Sequence, residues 1–106
     1  MFVQANMGGV EDITSSFTPD SRYIGALTAR LVDNHIVIID ISIKNGTPTG
    51  ATVANIANYA PPSGFRRSAL VGSTGSARLL IASTNALLMS GGNATEDVYG
   101  TLVYAI

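Results

Sequence analysis

One histidine and two adjacent pairs of carboxylates are the acid–base groups with the best claim to catalysis in this 106-residue chain. A nucleophile–base–orienter arrangement would need His35 as its base, with a hydroxyl and a carboxylate converging on it. No local motif supplies them, and His35 follows Asp33-Asn34, a turn pair. Hydrolysis of a glycosidic bond needs two carboxyls facing each other across roughly 5–10 Å. Glu11-Asp12 and Glu96-Asp97 are neighbours in sequence, and neighbours on a strand point to opposite faces. The expectation is a non-enzyme.

Metal and phosphate chemistry is equally poorly supplied. The chain has no cysteine, no His-x-His and no alternating Asp/Asn calcium loop. Gly72-Ser73-Thr74-Gly75 lacks the following lysine of a phosphate-binding loop and reads as a turn. No cofactor is expected. Side chains that suit a sugar are present: Arg78, Asn85, Asp97 and His35 offer hydrogen bonds, and Tyr59, Tyr99 and Tyr104 offer flat apolar faces. No tryptophan is available for stacking.

The partners are bounded by charge. Charged residues make up 12% of the chain, against about 25% for an average domain. Lys44 is the single lysine and the net charge is −1, so nothing draws in a phosphate backbone and nucleic acid is not expected. Ser, Thr, Asn and Gly account for 38 of the 106 residues. Such a surface suits an oligomer, or a protein that meets neutral polar ligands. No apolar run approaches the roughly 18 residues of a membrane helix, and residues 1–4 lack the basic start of a signal peptide. Membrane insertion and secretion through a leader are not expected.

The elements that must position these side chains read as strands. Residues 36–43 are β-branched, with Ile36, Ile38 and Asp40 on one face and Val37, Ile39, Ile41 and Ile43 on the other. Both faces are largely apolar, which predicts a strand covered on both sides. Asp33-Asn34 tolerates positive φ and joins it to a strand over 23–32 as a hairpin. Further strands are expected over 51–59, 67–71, 77–82, 86–89 and 98–106. Turns are expected at Asn45-Gly46, 61–64, 72–75, 83–85 and 91–93. A short strand over 13–17 belongs to residues 1–20, read as a lead-in from an upstream neck or stalk; residues 21–106 form the domain. The fold class is all-β, a small six- or seven-stranded antiparallel barrel or sandwich.

Two stretches go beyond generic β pattern: Ile56-Ala57-Asn58-Tyr59-Ala60-Pro61-Pro62-Ser63-Gly64-Phe65-Arg66-Arg67, and the ending Val98-Tyr99-Gly100-Thr101-Leu102-Val103-Tyr104-Ala105-Ile106. Over residues 23–106 the chain resembles the C-terminal head domains of receptor-binding proteins from tailed phages of Gram-positive bacteria, lactococcal phages in particular. Position 67 is Arg where that family often has Pro. The resemblance implies a β-barrel head carried as a homotrimer at the phage tail tip or baseplate, among other tail proteins. Such a head binds host cell-wall saccharide without cleaving it. The resemblance also implies a sugar site on the hairpin before the last strand, built in relatives from a Trp with a His, Asp or Arg. In this chain that hairpin keeps only Arg78 and Asn85 as strong hydrogen-bonding side chains. The candidate ligand-binding residues are therefore Arg78, Asn85, His35, Asp97 and Tyr99. The alternative is a tail or baseplate assembly module that binds no glycan.

Overall fold

The computed structural model describes residues 9–44, 52–72, 77–90 and 97–106. The turns expected at Asn45-Gly46, 73–75 and 91–93, and Glu96, lie outside these residues. Nine strands form one antiparallel sheet: β1 (Val10–Asp12), β2 (Phe17–Pro19), β3 (Gly25–Val32), β4 (Ile36–Ile43), β5 (Thr52–Ile56), β6 (Arg66–Gly72), β7 (Ala77–Ala82), β8 (Ala86–Ser90) and β9 (Val98–Ala105). The all-β class holds. The strand count is nine rather than six or seven, and one curled sheet takes the place of a two-sheet sandwich.

The β3–β4 hairpin follows from its turn. Asp33 and Asn34 adopt φ of 57° and 56°, and the His35 amide donates to the Val32 carbonyl at 3.0 Å. Positive φ at both central residues gives the turn whose twist matches the flanking strands. β4 then pairs with β3 and with β9 along its whole length. Its inner residues Val37, Ile39, Ile41 and Ile43 are buried. The outer face of Ile36 and Ile38 is only half-buried, so no element of the described chain covers it.

Strand order across the sheet is β1-β3-β4-β9-β6-β7-β8-β5-β2. The two edge strands are β1 and β2, yet only residues 13–16 separate them in sequence. Four residues span at most about 14 Å, so the sheet must curl until its edges nearly meet. The strand expected over 13–17 is instead a 3-10 turn at Thr14–Ser16 that bridges this gap. The Ile13 amide donates to Ala29 on β3, and the Ala57 amide, just past β5, donates to Ser16. Thr14 stands in for a strand partner, its hydroxyl accepting from the Ala29 amide at 3.0 Å. Ile13 and Phe17 are buried beneath the bridge. Residues 10–19 are thus hydrogen-bonded into both edges of a half-barrel.

The seam between β6 and β9 is thin. Backbone pairing is confined to Val71–Tyr99 and Gly72–Val98. Beyond it, the Ser68 hydroxyl donates to the Thr101 carbonyl at 2.7 Å in place of a ladder bond. Gly100 lies at this seam because a Cβ there would overlap the Leu70 side chain, which is itself fully buried.

Candidate functional site

The curled sheet separates most of the sequence-derived candidates. His35 is exposed at the β3–β4 turn, where its carbonyl accepts from the Ile106 amide at 2.9 Å. Asp97 and Tyr99 lie at the opposite end of β4, beside Ser42 and Ile43. Six or more residues of strand, roughly 20 Å, separate them from His35. There Lys44 sits 3.7 Å from the Asp97 carboxylate and 5.7 Å from the centre of the Tyr99 ring. Arg78 faces inward, on the same side of β7 as Leu80 and Ala82, and is 3% exposed. Its Nη1 lies 3.6 Å from Met89 Sδ. Tyr59, expected on a strand, sits in the following loop at φ 70°, and its carbonyl accepts from the buried Tyr104 hydroxyl at 2.6 Å.

Asn85 is the candidate that lines a sizeable depression, a shallow cleft of about 630 Å³ on the outer face of β5 and β8. Its walls come from three places in the sequence. β5 contributes Thr52 and Asn55, the β7–β8 turn contributes Ser83, Thr84 and Asn85, and the loop before β6 contributes Gly64 and Phe65. Ala86 and Leu88 complete the lining. β5–β8 pairing sets Asn55 directly opposite Ala86 and so brings the first two walls together. The Ile56 amide also donates to the Asn85 carbonyl at 2.9 Å.

Each wall is braced. The Ser83 hydroxyl donates to the Ala86 carbonyl at 3.1 Å and accepts from the Ala86 amide at 3.1 Å, which fixes the turn. The same hydroxyl lies 3.2 Å from Asn85 Oδ1, which engages the Asn85 side chain through its oxygen. The third wall is held by Gly64 at φ 69° and by Arg66, whose Nη1 donates to the Ser63 and Phe65 carbonyls at 3.2 Å. Phe65 is left 54% exposed, with the Arg67 guanidinium 5.7 Å from its ring centre. A half-exposed ring held at its backbone offers a flat apolar plate at little cost in entropy.

The chemistry of the lining is therefore hydrogen bonding and stacking. Thr52, Asn55 and Thr84 make no side-chain hydrogen bond to another described residue, and so keep their donors and acceptors for a ligand. No residue of the lining titrates in the physiological range. A second groove, about 400 Å³ along β1 and β3, contrasts with it. Its charged groups are already engaged: Arg30 pairs with Asp40 at 2.8 Å, Thr101 donates to Asp40, and the Thr14 amide donates to Asp12 at 2.9 Å. The hydrogen bonds from Thr14 hold the Asp12 carboxyl below its ordinary pKa.

Sequence reasoning missed Thr52, Asn55, Thr84 and Phe65 as a group. Phe65 lies within the corner motif and 83–85 was read as a turn, so two of three walls carried a local signal. The third depends on β5 pairing with β8, which no local pattern announces. No family model, no curated protein and no solved structure matches this chain. Among the described residues no helix is long and apolar enough to cross a membrane, and no group of three or more acidic or imidazole side chains is placed to hold a metal.

Proposed function

We propose that this chain is a saccharide-binding head of the phage adhesin type, and that the cleft between β5, the β7–β8 turn and Phe65 is its ligand site. The observation that carries the reading is the lining itself. A sugar presents hydroxyls on its edges and a weakly polar C–H face. The uncommitted side chains of Asn55, Thr52 and Thr84, together with the Asn85 amide, match the first, and the Phe65 ring matches the second. The ligand would be bound and not cleaved, since the lining offers no acid–base pair. On this reading the head works as a homotrimer on the virion, at a tail tip or baseplate among other tail proteins, and host cell-wall saccharide is its target.

Binding to a glycan array and to intact Gram-positive cells tests the reading, with Phe65→Ala and Asn85→Ala as cleft variants. Removing the plate or the amide is expected to cost about 1–2 kcal/mol, a five- to thirty-fold weaker interaction. A chain that binds neither glycans nor cells would favour the second reading, a tail or baseplate assembly module. Half-buried Ile36 and Ile38 on the outer face of β4 are the observation on that side.

A further inference from the structure

The chain between β5 and β6 carries the Phe65 wall of the cleft, and it passes through a residue in an uncommon backbone state. Tyr59 holds φ at 70°. Residues other than Gly, Asn and Asp rarely enter this left-handed region, because Cβ crowds the following carbonyl. Such a conformation persists only where its surroundings hold it in place. Here the holding group is the Tyr104 hydroxyl, which donates to the Tyr59 carbonyl at 2.6 Å. Tyr104 itself is buried on β9, opposite Val37 of β4, so the hydroxyl has a fixed seat.

This bond spans the sheet where its backbone pairing is thinnest. The ladder between β6 and β9 stops at Val71–Tyr99. Continued in the same antiparallel register, it would set Tyr104 opposite Arg66, the residue after Phe65. The ladder does not reach that point, and the hydroxyl ties β9 to the loop that leads into β6 instead.

A change at Tyr59 is carried to Phe65 because the chain between them is stiff. Pro61 and Pro62 have fixed φ, and the residue before each of them, Ala60 and Pro61, is confined to extended backbone. Pro61 is also fully buried and serves as a pivot in the core. At the far end, Arg66 Nη1 grips the Ser63 and Phe65 carbonyls at 3.2 Å. The peptide plane after Tyr59 thus sets the direction in which the chain crosses the pivot, and with it where the Phe65 ring stands.

We propose that Tyr104, acting through the Tyr59 carbonyl, is a positioning residue for the Phe65 plate: a hydroxyl on β9, outside the cleft lining, fixes the wall on which a sugar stacks. The inference rests on the cleft reading for its ligand, but not for the tether itself. Holding the plate in one place beforehand removes the cost of ordering it on binding. Cutting the tether should therefore weaken binding although no contact to the sugar is lost.

Tyr23 supplies the control. Its hydroxyl also donates to backbone carbonyls, Ala26 at 2.6 Å and Ser42 at 3.2 Å, on β3 and β4 rather than on the loop. Tyr104→Phe and Tyr23→Phe each remove a hydroxyl and keep the ring. In ligand-free amide nuclear magnetic resonance spectra, Tyr104→Phe should move the Gly64, Phe65 and Arg66 signals and speed their hydrogen exchange. Tyr23→Phe should leave them in place. Titrated with glucose, galactose and N-acetylglucosamine, Tyr104→Phe should bind about three- to ten-fold more weakly than the native chain, and Tyr23→Phe equally well. Phe65 signals untouched by Tyr104→Phe, or moved as far by Tyr23→Phe, overturn the inference, as does native affinity in Tyr104→Phe. If Tyr104→Phe misfolds, Tyr59→Gly decides, since it keeps the carbonyl and takes the left-handed turn without strain. Unchanged sugar affinity then supports the tether. A loss as large as that in Phe65→Ala shows that the Tyr59 ring holds the wall, and overturns it. A native chain that binds none of the three sugars removes the cleft reading, and the ligand-free spectra then decide the tether alone.

Discussion

Substituting Gly100 by alanine tests the packing at the β6–β9 seam, where the two halves of the sheet join. The added Cβ would overlap Leu70 Cδ2, well inside the ~3.5–4.0 Å at which carbon atoms touch. Leu70 is 1% exposed, so moving its side chain aside disturbs the core. Overpacking of this kind costs about 1–3 kcal/mol, which for a domain of this size lowers the melting temperature by roughly 5–20 °C. Leu70→Ala alone should cost about 2–5 kcal/mol, through lost burial and the cavity left behind. The double variant is the informative one. With Leu70 truncated, the new methyl enters vacant space, and replacing glycine within a strand regains about 0.5–1 kcal/mol. Gly100→Ala should therefore be neutral or stabilising in the Leu70→Ala background, a coupling of about 1–3 kcal/mol. Urea or thermal unfolding followed by circular dichroism measures it, with all four chains at one concentration so that association does not distort the comparison. Equal cost in both backgrounds would refute the reasoning: the glycine would then answer to something other than Leu70.

Gly25→Ala should be more damaging, because φ of 137° belongs to glycine and the new Cβ would overlap the Ser42 carbonyl oxygen. A loss of about 2–4 kcal/mol in unfolding free energy is expected. Stability should fall as pH rises from about 10 to 12. Burial holds the Tyr23 hydroxyl up to about 12 and raises that of Tyr104 as well, while the unfolded chain ionises both near 10. Their contribution is complete below pH 10 and is lost as pH rises through the folded values. Melting curves of native and Tyr23→Phe chains check this, and the variant should show the shallower alkaline decline. Asp12 and Asp20 act at the other end. Their carboxyls are lowered by hydrogen bonds from Thr14 and Arg22, so the stability they add is present above pH 4 and declines as pH falls below it. Glycan binding at the cleft should be flat from pH 5 to 8 for a neutral ligand, since no lining residue titrates there.

What the sequence made legible follows the reach of each physical signal. Asp33-Asn34 revealed a hairpin because its two positive-φ residues act locally, and the β-branched run of β4 needed no partner to declare a strand. The end of β5 was misjudged by a few residues, because Tyr59 and the buried Pro61 belong to a loop fixed from afar by the Tyr104 hydroxyl. The bridge at 14–16 was invisible, since its purpose, joining two sheet edges, exists only once seven other strands are in place. Arg78 carried a usable signal: it shares the inward period of Leu80 and Ala82. Its charge outweighed that period in the reading. The cleft was half legible, through Phe65 and the 83–85 turn, and half the product of β5 meeting β8.

Whether a sugar binds in the proposed cleft site is open to direct measurement. Titrating a simple hexose or a cell-wall oligosaccharide into isotope-labelled protein, and following each amide by nuclear magnetic resonance, answers it directly. Binding at the proposed site should give shifts concentrated at Asn55, Phe65, Thr84 and Asn85, lost in Phe65→Ala. Shifts gathered instead around Asp97 and Tyr99, or around His35, with the cleft amides unmoved, would contradict it.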